Sequence, residues 1–278
     1  MSPPFSVVVP AHDEAAVVQR CLEAFLPWPG PEAPEVVVVA NGCTDDTVDR
    51  ARAVPGVTVL DLAEPAKHGA LNAGDAAVTA WPRVYLDADV VLDAPSLRAL
   101  VETLRTDRAV AAAPQIRFVL EGRPWAVRAF YRVFSALPYV SDGLVGLGVV
   151  GVSAAGRARW AEFPSITADD LFVQRLFAPE ERVVVRSAHF DVQTPRTLSG
   201  LVRVRTRTAQ GNAELADHGA EQDATARTTA SSSRALLGLL AQRPTLLPSA
   251  LVYAGVTAVS RRRAARSAVT WHRDDTTR

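Results

Sequence analysis

Cysteine, lysine and methionine are scarce in this 278-residue chain, which has two Cys, one Lys and one Met. Two thiols, Cys21 and Cys43, exclude a disulfide framework and a multi-cysteine metal site. A surplus of either charge is missing too. Thirty basic and thirty acidic side chains cancel, which argues against a general nucleic-acid binder. The balance is uneven along the chain, acidic over residues 1–139 and basic over residues 140–278. No stretch reaches the roughly 18–20 uninterrupted apolar residues of a membrane span. The nearest, residues 235–259, is interrupted by Arg243, Pro244 and Pro248. The N-terminal MSPPFSVVVP has no basic segment ahead of its short apolar run, so it does not read as a secretory signal. The expected location is cytoplasmic. What is abundant is apolar: 48% hydrophobic content with five Trp excludes a disordered chain. A chain of this size buries about three quarters of its unfolded surface, which predicts one large α/β core with appendages.

Short β-branched runs alternate with helical patterns along the first hundred residues. SVVV (6–9), VVVVA (36–40), residues 57–62 and residues 83–86 read as strands, the first and the last of them buried. Residues 15–26, 44–53 and 69–80 read as helices between them, the second capped by Thr44. Continuous apolar strands alternating with helices predict a mostly parallel sheet covered on both faces. Ligands bind such sheets beyond the carboxyl ends of the strands. The residues there are His12, Asp13 and Glu14 after the first strand, and Asn41, Gly42, Cys43, Thr44 and Asp45 after the second. Asp87 and Asp89 follow the fourth. Acidic and amide side chains therefore gather at one predicted edge.

Farther along, residues 97–104 and 124–134 read as helices and 110–116 as a strand. Gly143, Gly146, Gly148 and Gly151 interrupt an apolar run, as flexible or close-approach positions do. Asp169-Asp170 open a helix to about residue 177. Residues 182–186 and 188–192 read as two short strands, and a basic helix follows Thr194-Pro195. Residues 225–233, rich in Thr, Ala and Ser, read as a linker. The predicted division is a catalytic domain over 1–224, then 225–278 as linker and helical C-terminal extension. Arg261, Arg262, Arg263 and Arg266 end the apolar stretch of that extension. Two arrangements fit: a helix packed on the core with a solvated basic end, or a peripheral seat on an anionic membrane face.

Asp87-Ala88-Asp89 sits directly after a buried strand. Two carboxylates at a strand end need compensation, because unpaired buried charge is costly. A hard divalent cation such as Mn²⁺ or Mg²⁺ supplies it and keeps coordination sites open for phosphate. The structural alternative is an exposed acidic turn.

SVVVPAHDEA, VVVVANGCTDDT, KHGALNAG and YLDADVVL occur in this order, and together they resemble the family 2 glycosyltransferases of the GT-A fold over roughly residues 5–215. The resemblance implies a nucleotide-binding sheet flanked by helices, with a UDP- or GDP-linked sugar as donor. It implies that Pro10, Ala11, Asp13 and Glu14 hold the nucleoside and that Asn41 reads the edge of the base. Asp87 and Ala88 contribute to the donor site, with Asp89 and Asp87 as metal ligands. Lys67, the only lysine, falls where the family crosses the diphosphate, and Asn72 belongs to the same motif. Asp170 matches the catalytic base of inverting members, with Asp169 beside it. Arg207 matches a diphosphate-binding arginine, and His189 a third metal ligand.

Departures are visible at Ala40 and Asn41, where two Asp are usual, at Cys43 for Ser, and at Thr208 for Trp. An amide both donates and accepts whereas a carboxylate only accepts, so Asn41 leaves the base open. Val204 stands where processive members carry Gln, against a polymer synthase. The acceptor is unread, a lipid-linked one included. Two alternatives stay open: a sugar-nucleotide pyrophosphorylase and a non-catalytic nucleotide-sugar binder. The absence of a G-x-G-x-x-G after the first strand argues against a dehydrogenase.

Overall fold

In the computed structural model the described residues are 4–29, 33–106, 110–141, 148–166, 169–217 and 228–266. In chain order the elements are β1 (Ser6–Ala11), α1 (Val18–Glu23), β2 (Glu35–Asn41), α2 (Thr47–Arg52), β3 (Val57–Leu62), α3 (Lys67–Ala77), β4 (Arg83–Leu86) and β5 (Val90–Leu92). There follow α4 (Ala94–Leu104), β6 (Ala111–Val119), α5 (Trp125–Phe134), α6 (Pro138–Ser141), β7 (Val149–Val152), α7 (Ala154–Arg157) and α8 (Asp169–Arg175). β8 (Arg182–Gln193), α9 (Leu198–Asp217), α10 (Thr228–Gln242) and α11 (Leu247–Ala264) complete the chain. It divides into two compact units.

The first unit comprises Met1–Arg117, Leu144–Ser165 and Leu176–Val192. It holds the sheet, apart from the last residues of β6 and β8. The strand order is β3-β2-β1-β4-β7-β6-β8-β5. β3, β2, β1 and β4 are parallel, in register from Val7↔Val36 and Val7↔Val84 outward. Every residue of β1 is buried, because a parallel strand is covered on both faces and valine suits a pleated buried surface. The expected parallel sheet is therefore half of the whole. β7 runs antiparallel to β4 and β6, and β5 antiparallel to β8.

Some expectations meet different local physics. β1 does not stop at Pro10 but continues to Ala11. Its ladder to β4 ends at Val8, and a strand tolerates proline where one side no longer needs a donor. Thr44 does not cap α2, which starts at Thr47; the Asp13 carboxylate accepts from the Thr44 backbone N–H at 2.6 Å instead. The glycine-rich run contains a buried strand, β7. A Cβ on Gly151 would lie 2.6 Å from Leu104 Cδ1, so this glycine lets α4 pack on the strand. Gly143 and Gly146 lie outside the described residues. Residues 182–193 form one strand rather than two, since Ser187 carries no break signal. Asp93 caps α4, accepting from Ser96 N–H at 2.8 Å.

The second unit comprises Phe118–Gly143, Ile166–Arg175 and Gln193–Arg278. Its centre is aromatic. Phe118, Phe130, Tyr131 and Phe134 pack with ring centroids 4.7–5.9 Å apart, and Tyr253 of α11 stacks on Phe130 at 5.2 Å. Arg205 of α9 lies 4.8 Å above the Phe134 ring. α11 packs along α5 and α9. The expected linker is helical from Thr228 on, as the first part of α10, and residues 225–227 lie outside the described residues.

Candidate active site

In the first unit the loops after β1 and β2 are laced together at the carboxyl edge of the sheet. Asp13 adopts a left-handed backbone, φ 51°, which short polar residues tolerate better than others. That turn aims its carboxylate at the backbone N–H groups of Thr44 (2.6 Å) and Asp45 (3.3 Å). In return the Asp45 carboxylate accepts from Ala15 N–H at 3.2 Å, and Thr47 Oγ1 accepts from Glu14 N–H at 2.6 Å. His12 donates from Nδ1 to Asn41 O at 2.6 Å. Gly42, φ 59°, lets Pro65 approach to where a Cβ would be 2.7 Å away. Ligand-type atoms of Asp13, Cys43 and Asp45 lie within 4.8 Å of one another. Both carboxylates already accept backbone N–H groups, so this cluster is the lacing itself.

Asn41 is 2% exposed. Its Nδ2 donates to Ala11 O at 2.8 Å and Val39 O at 3.4 Å. Two carbonyl partners fix the amide orientation, because the reverse would set oxygen against oxygen. The donor half is therefore engaged. What remains is Oδ1, an acceptor that is buried and has no hydrogen-bond partner among the described residues. In hydrogen-bonding terms Asn41 thus presents what a carboxylate would present, but inside the sheet end rather than open at its rim.

Asp87 and Asp89 follow β4, both half-buried, around the buried Ala88. The Asp87 N–H donates to Gly148 O at 2.7 Å. Gly148 has φ 111°, and a Cβ there would sit 2.7 Å from Val90 Cγ1 and 3.5 Å from Asp87 Oδ2. Lys67, first residue of α3, places Nζ 2.9 Å from Asp87 Oδ1. Beneath them lies Cys21, whose Sγ donates to Asp87 O at 3.6 Å. Burial pushes the Cys21 thiol far up, and the charges of Asp89, Asp87 and Glu14 push it further. Asp87 and Asp89 stand two residues apart just beyond the end of β4. Hard oxygen donors grouped beyond a strand fit a small divalent cation. Of the nucleoside-motif residues, Pro10 and Ala11 are buried in β1, and Glu14 stands half-buried just beyond it.

Two predicted residues are held elsewhere. The Asn72 carboxamide donates to Phe163 O at 3.2 Å and accepts from Phe163 N–H at 2.8 Å. Both ends of the amide fasten the α7–α8 connection. Its neighbour Gly74 is the site of close helix–sheet packing, since a Cβ would meet Val8 Cγ1 at 2.4 Å. His189 lies on β8, and its N–H donates to Ser96 Oγ at 3.2 Å. Val90 pairs with Val192 and Leu92 with Phe190, so His189 lies three strand residues from Val192, about 10 Å along the strand. The register does not bring it to Asp89.

The sequence reading missed a buried charge network in the same unit. Asp75 of α3 accepts from Tyr85 OH at 2.6 Å, from Arg157 Nε at 2.6 Å, and from Arg83. Arg83 also donates to Val78 O, and Arg157 to Ala161 O. Burial alone would raise the Asp75 carboxyl, but the bonds from Tyr85, Arg157 and Arg83 outweigh it and hold the carboxyl below the usual range. The available signal was Arg83, a charge opening an apolar strand. Gly148 was missed as a neighbour of Asp87, because only the fold pairs β7 with β4.

In the second unit Asp169 is buried at the start of α8. Asp170 is the next residue of that helix, and its side chain lies outside what the structure describes. Thr167 and Ala168 also lie outside the described residues. Arg203 and Arg207 are exposed on α9.

A sheet of this order, with carboxylates at the ends of its parallel strands, is the GT-A type of α/β fold. Residues 6–162 match the family model for glycosyl transferase family 2, more than half of the chain, and the chain belongs to that family. It is therefore a glycosyltransferase by family, which decides against the pyrophosphorylase alternative. Among solved structures, the chain is similar to a mannosyltransferase from Pyrobaculum calidifontis in complex with GDP-Man and Mn2+. The TM-score is 0.68 at 18% identity, covering 95% of this chain and 88% of that one. It is also similar to glucosyl-3-phosphoglycerate synthase from Mycobacterium tuberculosis in complex with Mn2+, UDP and glucosyl-3-phosphoglycerate. There the TM-score is 0.51 at 20% identity, covering 70% of this chain and 72% of that one. At these identities the likeness is one of fold. No curated protein matches the chain in sequence.

Proposed function

We propose that the chain transfers a sugar from a UDP- or GDP-linked donor to an acceptor hydroxyl with inversion, with Mn²⁺ or Mg²⁺ held by Asp89 and Asp87. The observation that carries this reading is the approach of Lys67 to Asp87 beyond β4, with Asp89 two residues on. A lysine paired with a carboxylate beyond the carboxyl end of a parallel strand stands where such sheets bind their ligands. The two solved structures described above carry Mn2+, one with GDP-Man and the other with UDP, which supports the same class of donor here. A divalent cation bound at these carboxylates supplies Lewis-acid stabilisation of the leaving diphosphate.

The chain's own residues do the rest. The backbone at Pro10–Ala11 and the side chain of Glu14 carry the nucleoside. Lys67 turns from Asp87 to the diphosphate oxygens, and Arg207 adds positive charge. Asp170, beside Asp169, takes the proton of the acceptor hydroxyl as its oxygen bonds to the anomeric carbon. The bond from that carbon to the phosphate oxygen breaks on the opposite face, so configuration inverts.

A thermal-shift panel of UDP, GDP, dTDP and CDP, with and without Mn²⁺, tests the reading. A ligand that binds the folded state raises its stability, so UDP or GDP is expected to raise Tm in a Mn²⁺-dependent way. Asp89→Asn is expected to lose the Mn²⁺ dependence. Asp170→Asn keeps the shift but lowers kcat by about 10²–10⁴. If no nucleotide shifts Tm under any condition, the reading fails. A shift without turnover on any hydroxyl acceptor would leave the chain a nucleotide-sugar binder.

A further inference from the structure

α11 turns two serines inward beside Ala250 and Val256 while leaving several large aliphatic side chains outside. Ser249 and Ser260 are buried at 3% and 2%, whereas Leu247, Leu251 and Val259 are exposed at 54%, 68% and 42%. The inward face is identified by Ser260 Oγ, which donates to Val202 O of α9 at 3.3 Å. Leu247, Leu251, Ala254 and Ala258 follow at four- and three-residue spacing on the opposite, exposed face. In α10, Leu237 is 67% exposed. Exposed leucines in series on one helix face call for an apolar partner.

The charge of the segment limits what that partner is. Residues 224–273 contain eight Arg and no Asp or Glu. Arg234, Arg243, Arg261, Arg262, Arg263 and Arg266 are exposed along it. A second copy docked symmetrically on this face would set arginines against arginines. An anionic lipid headgroup layer offers the opposite charge above an apolar interior. Among the described residues no single helix is long and apolar enough to cross a membrane, and the segments Arg234–Gln242 and Pro244–Ala264 meet at a 119° bend. Two apolar segments so bent do not make one straight span.

We propose that the α10–α11 elbow seats the enzyme on an anionic phospholipid surface. Leu237, Leu247, Leu251 and Val259 enter the acyl boundary, and the arginines lie against lipid phosphates. The inference is independent of the donor reading, because nucleotide binding is scored separately on the same protein.

The test is co-sedimentation of the full chain with phosphatidylcholine vesicles, with and without phosphatidylglycerol, at low and high salt. Binding is expected only to the anionic vesicles and should weaken as salt screens the charges. Leu237→Glu with Leu251→Glu should lower partition at least about tenfold, since each buried leucine side chain contributes strongly to transfer. Arg261→Gln, Arg262→Gln and Arg263→Gln together should lower it about 100-fold at low salt and weaken the salt dependence. These side chains are exposed, so unchanged thermal unfolding checks that the variants fold. Failure to bind anionic vesicles, or unchanged partition in the leucine variant, would overturn the proposal. So would self-association lost on Leu251→Glu, because that would make the face a protein interface.

Discussion

Lys67 Nζ lies 2.9 Å from Asp87 Oδ1, pairing the only lysine of the chain with the first of the two carboxylates beyond β4. Both side chains are about 30% exposed. An ion pair this open contributes at most about 1 kcal/mol, so it is easily exchanged for other partners. It keeps Asp87 compensated without a bound ion and holds an ammonium at the mouth of the site. In the proposed function the same lysine would compete with a metal for Asp87 and attract the phosphates that accompany it.

Lys67→Gln separates these two effects. Mn²⁺ alone is expected to bind the variant more tightly, by about fivefold if the pair contributes about 1 kcal/mol. UDP or GDP should bind more weakly at saturating Mn²⁺, because a charge-assisted phosphate contact is lost. Titration calorimetry with metal alone, then with nucleotide, reads both. Equal metal and nucleotide affinities in variant and wild type would show that Lys67 is only a surface charge.

Gly148 sets the position of Asp87 through backbone approach. Its φ of 111° suits glycine, and a Cβ would press on Val90 Cγ1 at 2.7 Å. Gly148→Ala is expected to lower stability by roughly 1–3 kcal/mol in urea unfolding. It should also shift the carbonyl that accepts from Asp87 N–H, reducing Mn²⁺ affinity about tenfold. Unaltered metal affinity in a folded variant would separate Gly148 from the site.

Asp75 compensates two guanidinium groups in the interior of the first unit. Asp75→Asn leaves Arg83 and Arg157 short of negative charge, and breaking a buried pair costs about 3–5 kcal/mol. Linkage gives a second signature. The folded carboxyl lies below its unfolded value, so its contribution is fully present above the unfolded pKa near 4. It is lost as pH falls through the folded value. Urea unfolding between neutral and acid pH should show that component in the wild type and lack it in Asp75→Asn. Identical pH profiles would remove Asp75 as the network's anchor.

Much of this was legible in the residues, and the reason is local. Strand β4 follows the run 83–86 and is buried throughout, whereas β3 follows the run 57–62 as a partly exposed edge strand whose Thr58 and Asp61 interrupt the apolar string. Asp87 and Asp89 were legible because charge beyond such a string is conspicuous. Non-local features were not. Asn72 resembles a donor-binding residue in its motif, yet only the fold brings Phe163 to its amide. His189 looked available as a ligand until the antiparallel register of β5 and β8 set its distance from Asp89. β7 was hidden because its glycine signals flexibility in sequence, whereas Leu104 packs into the space it leaves. Nothing local marks Asp75 within the run 69–80; only the fold brings Arg83, Tyr85 and Arg157 onto it.

The two cysteines offer a readout of the site that needs no substitution. Cys21 is buried and its thiol is pushed far up by burial and by Asp89 and Asp87. Cys43 is partly exposed in the loop after β2, its thiol raised mainly by burial. Thiol reagents attack the thiolate, so both react slowly at neutral pH, but Cys43 is reachable and Cys21 is not. In the native chain one thiol should label, identified as Cys43 by peptide mapping, and the second only on unfolding. The Cys43 Sγ accepts from Asp13 N–H and donates to Ala11 O, both in the loop that carries the nucleoside in the proposed function. UDP or GDP with Mn²⁺ should therefore slow Cys43 labelling, while an unrelated anion such as sulfate should not. Labelling that ignores the nucleotide would place the base away from this loop and leave Asp13 and Asn41 with a folding role alone.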